Sequence, residues 1–456
     1  MIIKKTGLVL TSILGGAAAA YLTLIPLTVE TQSKNKNKAS SDYPLSAKKG
    51  IKEVVERISS KIEEEILQNC EKKDYLTFAA EGQDSKKIFT SLSNLQNNSL
   101  NLVQDFDYLE ASRVNACSFT LDKLVTEGKL KFYVRHGGSN PEKRKFPTFF
   151  YAKDDDQDPV PEMKDYWAHR VTHAEAPKSK GLTGKGVRIG VLDTGVDPEV
   201  TQFKSQIKGF HDFVYNQKKV YDDFGHGTFV TGIINKVVPE AEIFVYKIHD
   251  LEGFNSLTNI LEGFDQAIAD NLDVLNNSWG LSEPKEVEGM SWNDANKVLG
   301  EALERVAKKG ILIEASSGND SYYTHKMDPE QLPCGSPYVI SVGATTIRGE
   351  IADFSDLDAP VFAPGHFVYS TKSASENQFW SGTSFSGPFV AAALAVVVDY
   401  GKKHNHNFTY EEAYKIIIDS SRPESSTIVL SDSKEESYKF KMLDYKSLVD
   451  HLEKNY

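Results

Sequence analysis

Cysteine is scarce in this 456-residue sequence: Cys70, Cys117 and Cys334 are far apart and odd in number. Their spacing fits no zinc site, and buried or free thiols are expected rather than a disulfide framework. A basic excess is missing too. Lys and Arg number 52 against 64 Asp and Glu, a net charge of −12, which disfavours nucleic acid and anionic membrane as main partners. No repeat of fixed period is found, which argues against a solenoid.

Hydrophobic residues at 40% and charged residues at 25% describe a soluble globule, and the length suits two or three domains. Residues 1–30 are different. Lys4 and Lys5 precede an apolar run from Gly7 to Val29, with small residues at Ala17 to Ala20. This pattern suits a signal peptide. The run continues through Tyr21, Leu22, Leu24, Ile25 and Leu27, a length that equally suits an uncleaved anchor. No lipobox cysteine follows the run, so a lipoprotein is disfavoured. A secreted or cell-surface protein is expected, touching membrane only through this segment.

Residues 31–73 read as a polar linker followed by an amphipathic helix over 47–70, with Ile51, Val54, Val55, Ile58, Ile62 and Ile66 on one face. Residues 74–136 read as a small α+β unit. Strands are predicted at Tyr75–Ala79, twice within Leu102–Phe119 around Ala111, and at Leu130–Val134. Helices are predicted at Ser85–Leu92 and from Thr120, as N-cap, to Glu127. Residues 137–165, rich in Gly, Pro, Asp and Lys, read as an exposed linker. From 166 to 456 the pattern alternates. Strand-like runs at 187–192, 242–247, 272–276, 311–315 and 338–343 are separated by helical stretches at 226–235, 257–270 and 294–309. That order predicts an α/β domain with a mostly parallel sheet covered on both faces, its site beyond the C-terminal strand ends.

Four segments carry candidate chemistry. The apolar strand Val187–Leu192 ends in the carboxylate of Asp193. His226 stands between Gly225 and Gly227, where a helix begins. Ser384 lies in Ser381-Gly382-Thr383-Ser384-Phe385-Ser386-Gly387-Pro388, before the apolar helix from Phe389 to Val398. Asn319 follows Ser316-Ser317-Gly318 at the end of another buried strand. Each alone has a plain structural reading as a turn or cap residue. Together, in the order Asp, His, Asn, Ser, they match the chain order of one known catalytic triad with an amide donor added.

These motifs resemble the subtilisin family of serine proteases (subtilases), over about 170–450. Asn276-Asn277-Ser278-Trp279-Gly280, Ala352-Asp353-Phe354-Ser355, Phe362-Ala363-Pro364-Gly365 and the closing Leu443-Asp444-Tyr445-Lys446 extend the match. The resemblance implies a subtilisin-like three-layer α/β fold and a serine endopeptidase acting on protein or peptide substrates, without a catalytic cofactor. Asp193, His226 and Ser384 would form the triad and Asn319 the oxyanion donor. Ser278, Trp279, Gly280, Ser317 and Gly318 would bind substrate. Residues 74–136 resemble the family's inhibitor-type propeptide, a ferredoxin-like unit, which implies a precursor cleaved within 136–165. Phe149, Phe150, Tyr151 and Lys143-Arg144-Lys145 are candidate sites. A monomer is expected, held by its own prodomain before maturation.

Three departures from the family pattern stand out. Only Ile233 to Val238 separates Gly232 from Pro239, so the loop that builds the family's tight calcium site is expected to be missing; structural calcium elsewhere stays open. Phe385 and Phe229 stand where the family usually has Met and His. Trp279 replaces a smaller residue beside the cleft and is expected to narrow a pocket.

Overall fold

Val187, Ile189 and Val191 pack into the core on one face of their strand, while Gly190 and Leu192 lie against Leu272, Leu275 and the core on the other, so both faces are covered. In the computed structural model this is an interior strand of a large sheet. The structure describes residues 66–67, 70–93, 100–136, 146–147, 166–280, 286–287, 290–320, 331–429 and 435–456. The N-terminal segment, its linker, nearly all of the 47–70 helix and the cleavage candidates Lys143–Lys145 and Phe149–Tyr151 lie outside these residues.

The smaller unit is built from β1 (Lys73–Ala79), α1 (Ser85–Ser93), β2 (Leu100–Phe106), β3 (Ala111–Ala116), α2 (Ser118–Thr126) and β4 (Leu130–Arg135). Its four strands are antiparallel in the order β2-β3-β1-β4, a ferredoxin-like βαββαβ arrangement. The two strands expected within Leu102–Phe119 meet before Ala111, and the second ends at Ala116. The predicted cap is also displaced. Cys117, not Thr120, occupies the N-cap of α2, and the Thr120 hydroxyl is buried inside the helix without a partner among the described residues.

Cys117 corrects a second expectation, because it is disulfide-bonded to Cys70 with Cα atoms 5.9 Å apart. The cause is strand register. Lys73 pairs with Ala116 across β1 and β3, which brings the flanking residues 70 and 117 to the same end of the sheet. Sequence spacing carries no trace of that pairing. Cys334 is free and buried, as expected.

The larger unit contains β5 (Phe146–Pro147), β6 (Arg188–Asp193), β7 (Ile207–Asp212), α3 (His226–Val237), β8 (Glu242–Lys247), β9 (Phe254–Asn255), α4 (Leu257–Ala269), β10 (Val274–Asn277), α5 (Trp292–Lys308), β11 (Leu312–Ser316), β12 (Val339–Thr345) and β13 (Val361–Pro364). It ends with β14 (Val368–Ser373), β15 (Glu376–Trp380), α6 (Gly387–His404), α7 (Tyr410–Ser420), β16 (Arg422–Val429), β17 (Glu435–Met442) and α8 (Tyr445–Asn455). The nine-stranded sheet runs β16-β17-β13-β12-β11-β10-β6-β8-β7 and is parallel except at β16. The strand order reverses at β6: the chain goes to the edge strand β7, returns to β8 beside β6, then crosses to β10 on the other side. Parallel sheets place their sites at such a reversal.

One face of the sheet packs α3 and α6, with Ile189, Val191, Val230, Ile233, Val390 and Leu394 in a common core. Helix α6 is apolar and long enough to cross a membrane, but 94% of its apolar window is buried inside the protein. Apolar on all sides, it is a core helix. The other face packs α4 and α5 with Leu261, Phe264, Leu299 and Leu303.

The smaller unit docks on α4 and α5. Phe78, Phe106, Leu109 and Phe132 join their core. Asp265 accepts hydrogen bonds from the backbone N–H groups of Tyr108 and Leu109, at 2.6 and 2.8 Å. Gln104 donates to Glu262 (2.6 Å), and Arg305 reaches the carbonyls of Ala79 and Leu109 (2.6 and 3.0 Å). Downstream, β5 pairs antiparallel with β9, Phe146 opposite Asn255 and Pro147 opposite Phe254.

Burial, chiefly, pushes Glu262 up to about 7 and Asp265 up to about 6. Docking therefore binds protons. The contribution of these two carboxyls is complete below the ordinary carboxylate range and is lost as pH rises through 6 to 7. Hydrogen exchange at Tyr108 and Leu109, corrected for intrinsic rates, should show at least about tenfold more frequent opening at pH 8 than at pH 5. Protection that does not change over this range would contradict the assignment.

Candidate active site

Four chain segments converge at the C-terminal edge of the sheet. Asp193 ends β6 and is fully buried. His226 is the first residue of α3, and its Nδ1 lies 2.8 and 3.0 Å from the two Asp193 carboxylate oxygens. Asp193 Oδ1 also accepts the N–H of Thr194 at 2.7 Å. A carboxylate at Nδ1 selects the tautomer with hydrogen there, which leaves Nε2 as the basic nitrogen.

Two features bring the strand end and the helix start this close. Gly227 is the first. A Cβ there would stand 2.2 Å from the Gly195 carbonyl and 3.1 Å from Asp193 Cβ, so no other residue fits. Asp222 is the second. Its carboxylate accepts from Thr194 Oγ1 (2.9 Å), the Gly225 N–H (2.7 Å), the Thr228 N–H (2.9 Å) and Thr228 Oγ1 (2.6 Å). Thr194 Oγ1 in turn accepts the N–H of Gly227 at 3.0 Å. The free N–H groups of the first turn of α3 are thus tied to the strand that carries Asp193.

Ser384 sits in a single 3₁₀ turn, Thr383–Phe385, directly before α6. Its Oγ donates to the carbonyl of Ser278 at 3.1 Å, and Ser278 Oγ donates to the Ser384 carbonyl at 2.9 Å. This reciprocal pair stitches the segment after β10 to the serine turn. Asn319 is half-buried past β11. Its Oδ1 accepts from the N–H and the hydroxyl of Thr383, at 2.8 and 2.9 Å. With Oδ1 occupied, Nδ2 is the end of the amide left to donate.

Ser278, Trp279 and Gly280 therefore fall in the segment just past β10, and Ser317, Gly318 and Asn319 in the segment just past β11. Trp279 departs from expectation. Its indole is fully buried in the core of the α4–α5 face, edge-on to His249 at 6.2 Å, and presents no surface that narrows an open pocket. Phe229 and Phe385 do pack behind the site, 4.8 Å apart, and Phe385 lies 5.3 Å from the His226 ring. Trp380, on β15, completes this aromatic cluster at 4.9 Å from Phe229 and 6.3 Å from His226. The segment Ile233–Val238 lies on the last turn of α3 and its C-cap, after which the chain turns into β8.

Several buried polar residues escaped the sequence reading. Lys247, register partner of Asp193, buries its ammonium against the carbonyls of Thr194 (2.7 Å) and His249 (2.8 Å) and the carboxylate of Asp223 (2.6 Å). His249 is held well below the usual imidazole range by burial first, then by the charges of His226 and Lys247. Glu314 stands in the middle of β11 and is fully buried. Its carboxylate oxygens make no hydrogen bond of normal geometry among the described residues, and Oε2 would lie 2.7 Å from a Cβ at Gly387. Burial pushes Glu314 well up, opposed only in part by the N–H of Asn277. The available signal was a lone acid within an apolar strand.

Residues 184–441 match the model of the Subtilase family. The chain is 32% identical over 253 residues to the minor extracellular protease Epr of Bacillus subtilis (strain 168), spanning 52% of this chain and 36% of that protein. It is 30% identical over 262 residues to the M-protease of Shouchella clausii (strain KSM-K16), spanning 55% and 64% respectively. Subtilisin BL of Lederbergia lenta is 31% identical over 242 residues, 51% of this chain and 83% of that one. The match thus spans about a third of the first relative and just under two thirds of the second. The crystal structure of a lanthipeptide protease aligns with a TM-score of 0.54 at 20% identity, over 64% of this chain and 96% of that chain, a likeness of fold.

Glu314 gives a stability prediction. Its neutral form is favoured in the folded state, so stability declines as pH rises above the ordinary carboxylate range, by about 1.4 kcal/mol per unit at most. Glu314→Gln removes this slope. Thermal melts should show the variant gaining on the parent between pH 5 and pH 8; parallel curves would contradict the assignment.

Proposed function

Since the chain belongs to the subtilase family, we propose that it is a serine endopeptidase in which Ser384 attacks the peptide carbonyl. His226 takes the serine proton and passes it to the leaving amine, and Asp193 holds the imidazole and stabilises its cation. The contact of His226 Nδ1 with the Asp193 carboxylate carries this reading. Rotation of Ser384 about χ1 moves Oγ from the Ser278 carbonyl toward the imidazole, a shift that substrate binding favours. Asn319 Nδ2 and the Ser384 backbone N–H then stabilise the oxyanion, helped by the N-terminus of α6. No metal or cofactor enters this bond chemistry. Substrate backbone lies along Ser278–Gly280 and Ser317–Gly318.

The precursor reading belongs to the same proposal. Residues 74–136 act as a prodomain that docks on α4 and α5 and hands its tail to the cleft. Pairing of Phe146–Pro147 with β9 supports a tail that runs along the protein as an extended strand. Cleavage then follows within a few residues, at Phe149 to Tyr151. Export of the precursor is supported by the N-terminal apolar run, by the extracellular relative Epr, and by the Cys70–Cys117 bridge, since such bridges persist in oxidising compartments. The mature enzyme is read as a monomer acting on protein or peptide substrates.

Self-processing supplies the test. The parent chain should mature to a form whose first residue, by N-terminal sequencing, lies within 137–165, while Ser384→Ala should remain an intact precursor. Asn319→Ala should slow maturation by about 100- to 1,000-fold. A mature start before residue 120, or maturation of Ser384→Ala at the parent rate in the absence of other proteases, would sink the proposal.

A further inference from the structure

Behind the Asn319 turn lies a buried carboxyl that the proposed chemistry does not use. Asp356, on the loop between β12 and β13, is 1% exposed. Gly318 has a φ of +123°, and a Cβ there would stand 2.1 Å from Asp356 Oδ2, so the turn rests directly on this carboxyl. The backbone N–H of Asp356 donates to the Gly318 carbonyl (3.3 Å), and the backbone N–H of Asp320 donates to the Asp356 carboxyl. Thr383 grips the same turn, taking the Gly318 N–H on its hydroxyl (3.3 Å) and donating to Asn319 Oδ1 from both its N–H and its hydroxyl. Gly318, Asn319 and Asp320 are thus held between the Ser384 turn and Asp356.

We propose that Asp356 is a positioning residue for the oxyanion donor, bracing the Gly318–Asn319–Asp320 turn as a neutral carboxylic acid and so aiming Asn319 Nδ2. The inference rests on the protease reading and on Asn319 as its donor.

The neutral state has a physical basis. Asp356 Oδ1 is buried without a hydrogen-bond partner among the described residues, an arrangement a carboxylate anion tolerates poorly. The charged group facing it from the turn is Asp320. Thr383, which grips that turn, is uncharged, and Asp353 and Asp358 flank Asp356 along its own loop. Burial first, then the negative charge of Asp320, pushes Asp356 up to about 8. Below that pH the brace is neutral. Above it, an anion backs the turn that must stabilise a second developing anion on the substrate, and oxyanion stabilisation weakens. The turn therefore works best below pH 8 and loses efficiency as pH rises through that value.

The rate of Ser384 labelling by a fluorophosphonate, measured on the self-processed protein from pH 6 to pH 10, tests this. Its phosphonyl oxygen develops negative charge as the peptide oxygen does, and no knowledge of sequence preference is needed. The parent should lose about fivefold or more of its rate around pH 8. Asp356→Asn, a neutral mimic, should keep the rate at pH 7 within about threefold and lose the alkaline fall. Asp356→Ala, which removes the brace, should label at least tenfold more slowly throughout. Asp320→Asn removes the neighbouring charge at an exposed position, so the alkaline fall should move to lower pH. A profile in Asp356→Asn with the parent's alkaline fall, or parent-like labelling in Asp356→Ala, overturns the proposal. If the Asp356 variants do not fold, Asp320→Asn decides: an unmoved alkaline fall overturns it. A parent that is not labelled at all defeats the protease reading itself, and the brace with it.

Discussion

Everything at the site depends on one junction, where the buried end of β6 meets the first turn of α3. Strand and helix leave complementary unsatisfied groups at such a junction, and Asp222 joins them by accepting from both sides at once. Gly227 allows the approach by having no side chain to obstruct the Gly195 carbonyl. Only then can a fully buried carboxylate reach an imidazole at 2.8 Å. The buried pair is strong because it is paired and desolvated together; either partner alone would be a costly buried polar group.

The surrounding architecture supplies rigidity. Central strands buried on both faces fix Asp193, Ser278 and Asn319 at neighbouring strand ends. Helix α6 enters the same core with the Ser384 turn at its N-terminus. Two buried acids stand beside this framework, Glu314 and Asp356, and burial pushes the titration of both upward. Their presence ties stability and geometry near the site to pH, in the same direction as the docking of the smaller unit through Glu262 and Asp265.

Much of this was legible in the chain. Apolar runs such as Val187–Leu192 and Ile311–Ala315 announce buried strands, and the intervening 3.6-residue periodicity announces α3, α4 and α5. Motifs around Asp193, His226, Asn319 and Ser384 are local, and it is their chain order, matched to a known triad, together with the family resemblance, that brings them forward. What stayed hidden depends on long-range placement. The Cys70–Cys117 bridge follows from β1–β3 register, and Trp380 reaches the His226 cluster from a hairpin far along the chain. Thr120 resembled a cap because the true N-cap, Cys117, lacks a capping oxygen. Trp279 looked like a cleft residue by its neighbours, but its side chain is buried in the core. Asp222 stood just outside the segment that drew attention to His226.

The central claim is that Ser384 becomes covalently acylated with the help of His226 and Asp193. Rapid acid quench of the mature protein after mixing with p-nitrophenyl acetate, followed by intact mass and peptide mapping, tests it most directly. The account predicts one acetyl group per molecule, located on Ser384, with accumulation lost in His226→Ala. An acetyl group confined to another residue, or no adduct on a folded protein, would contradict it.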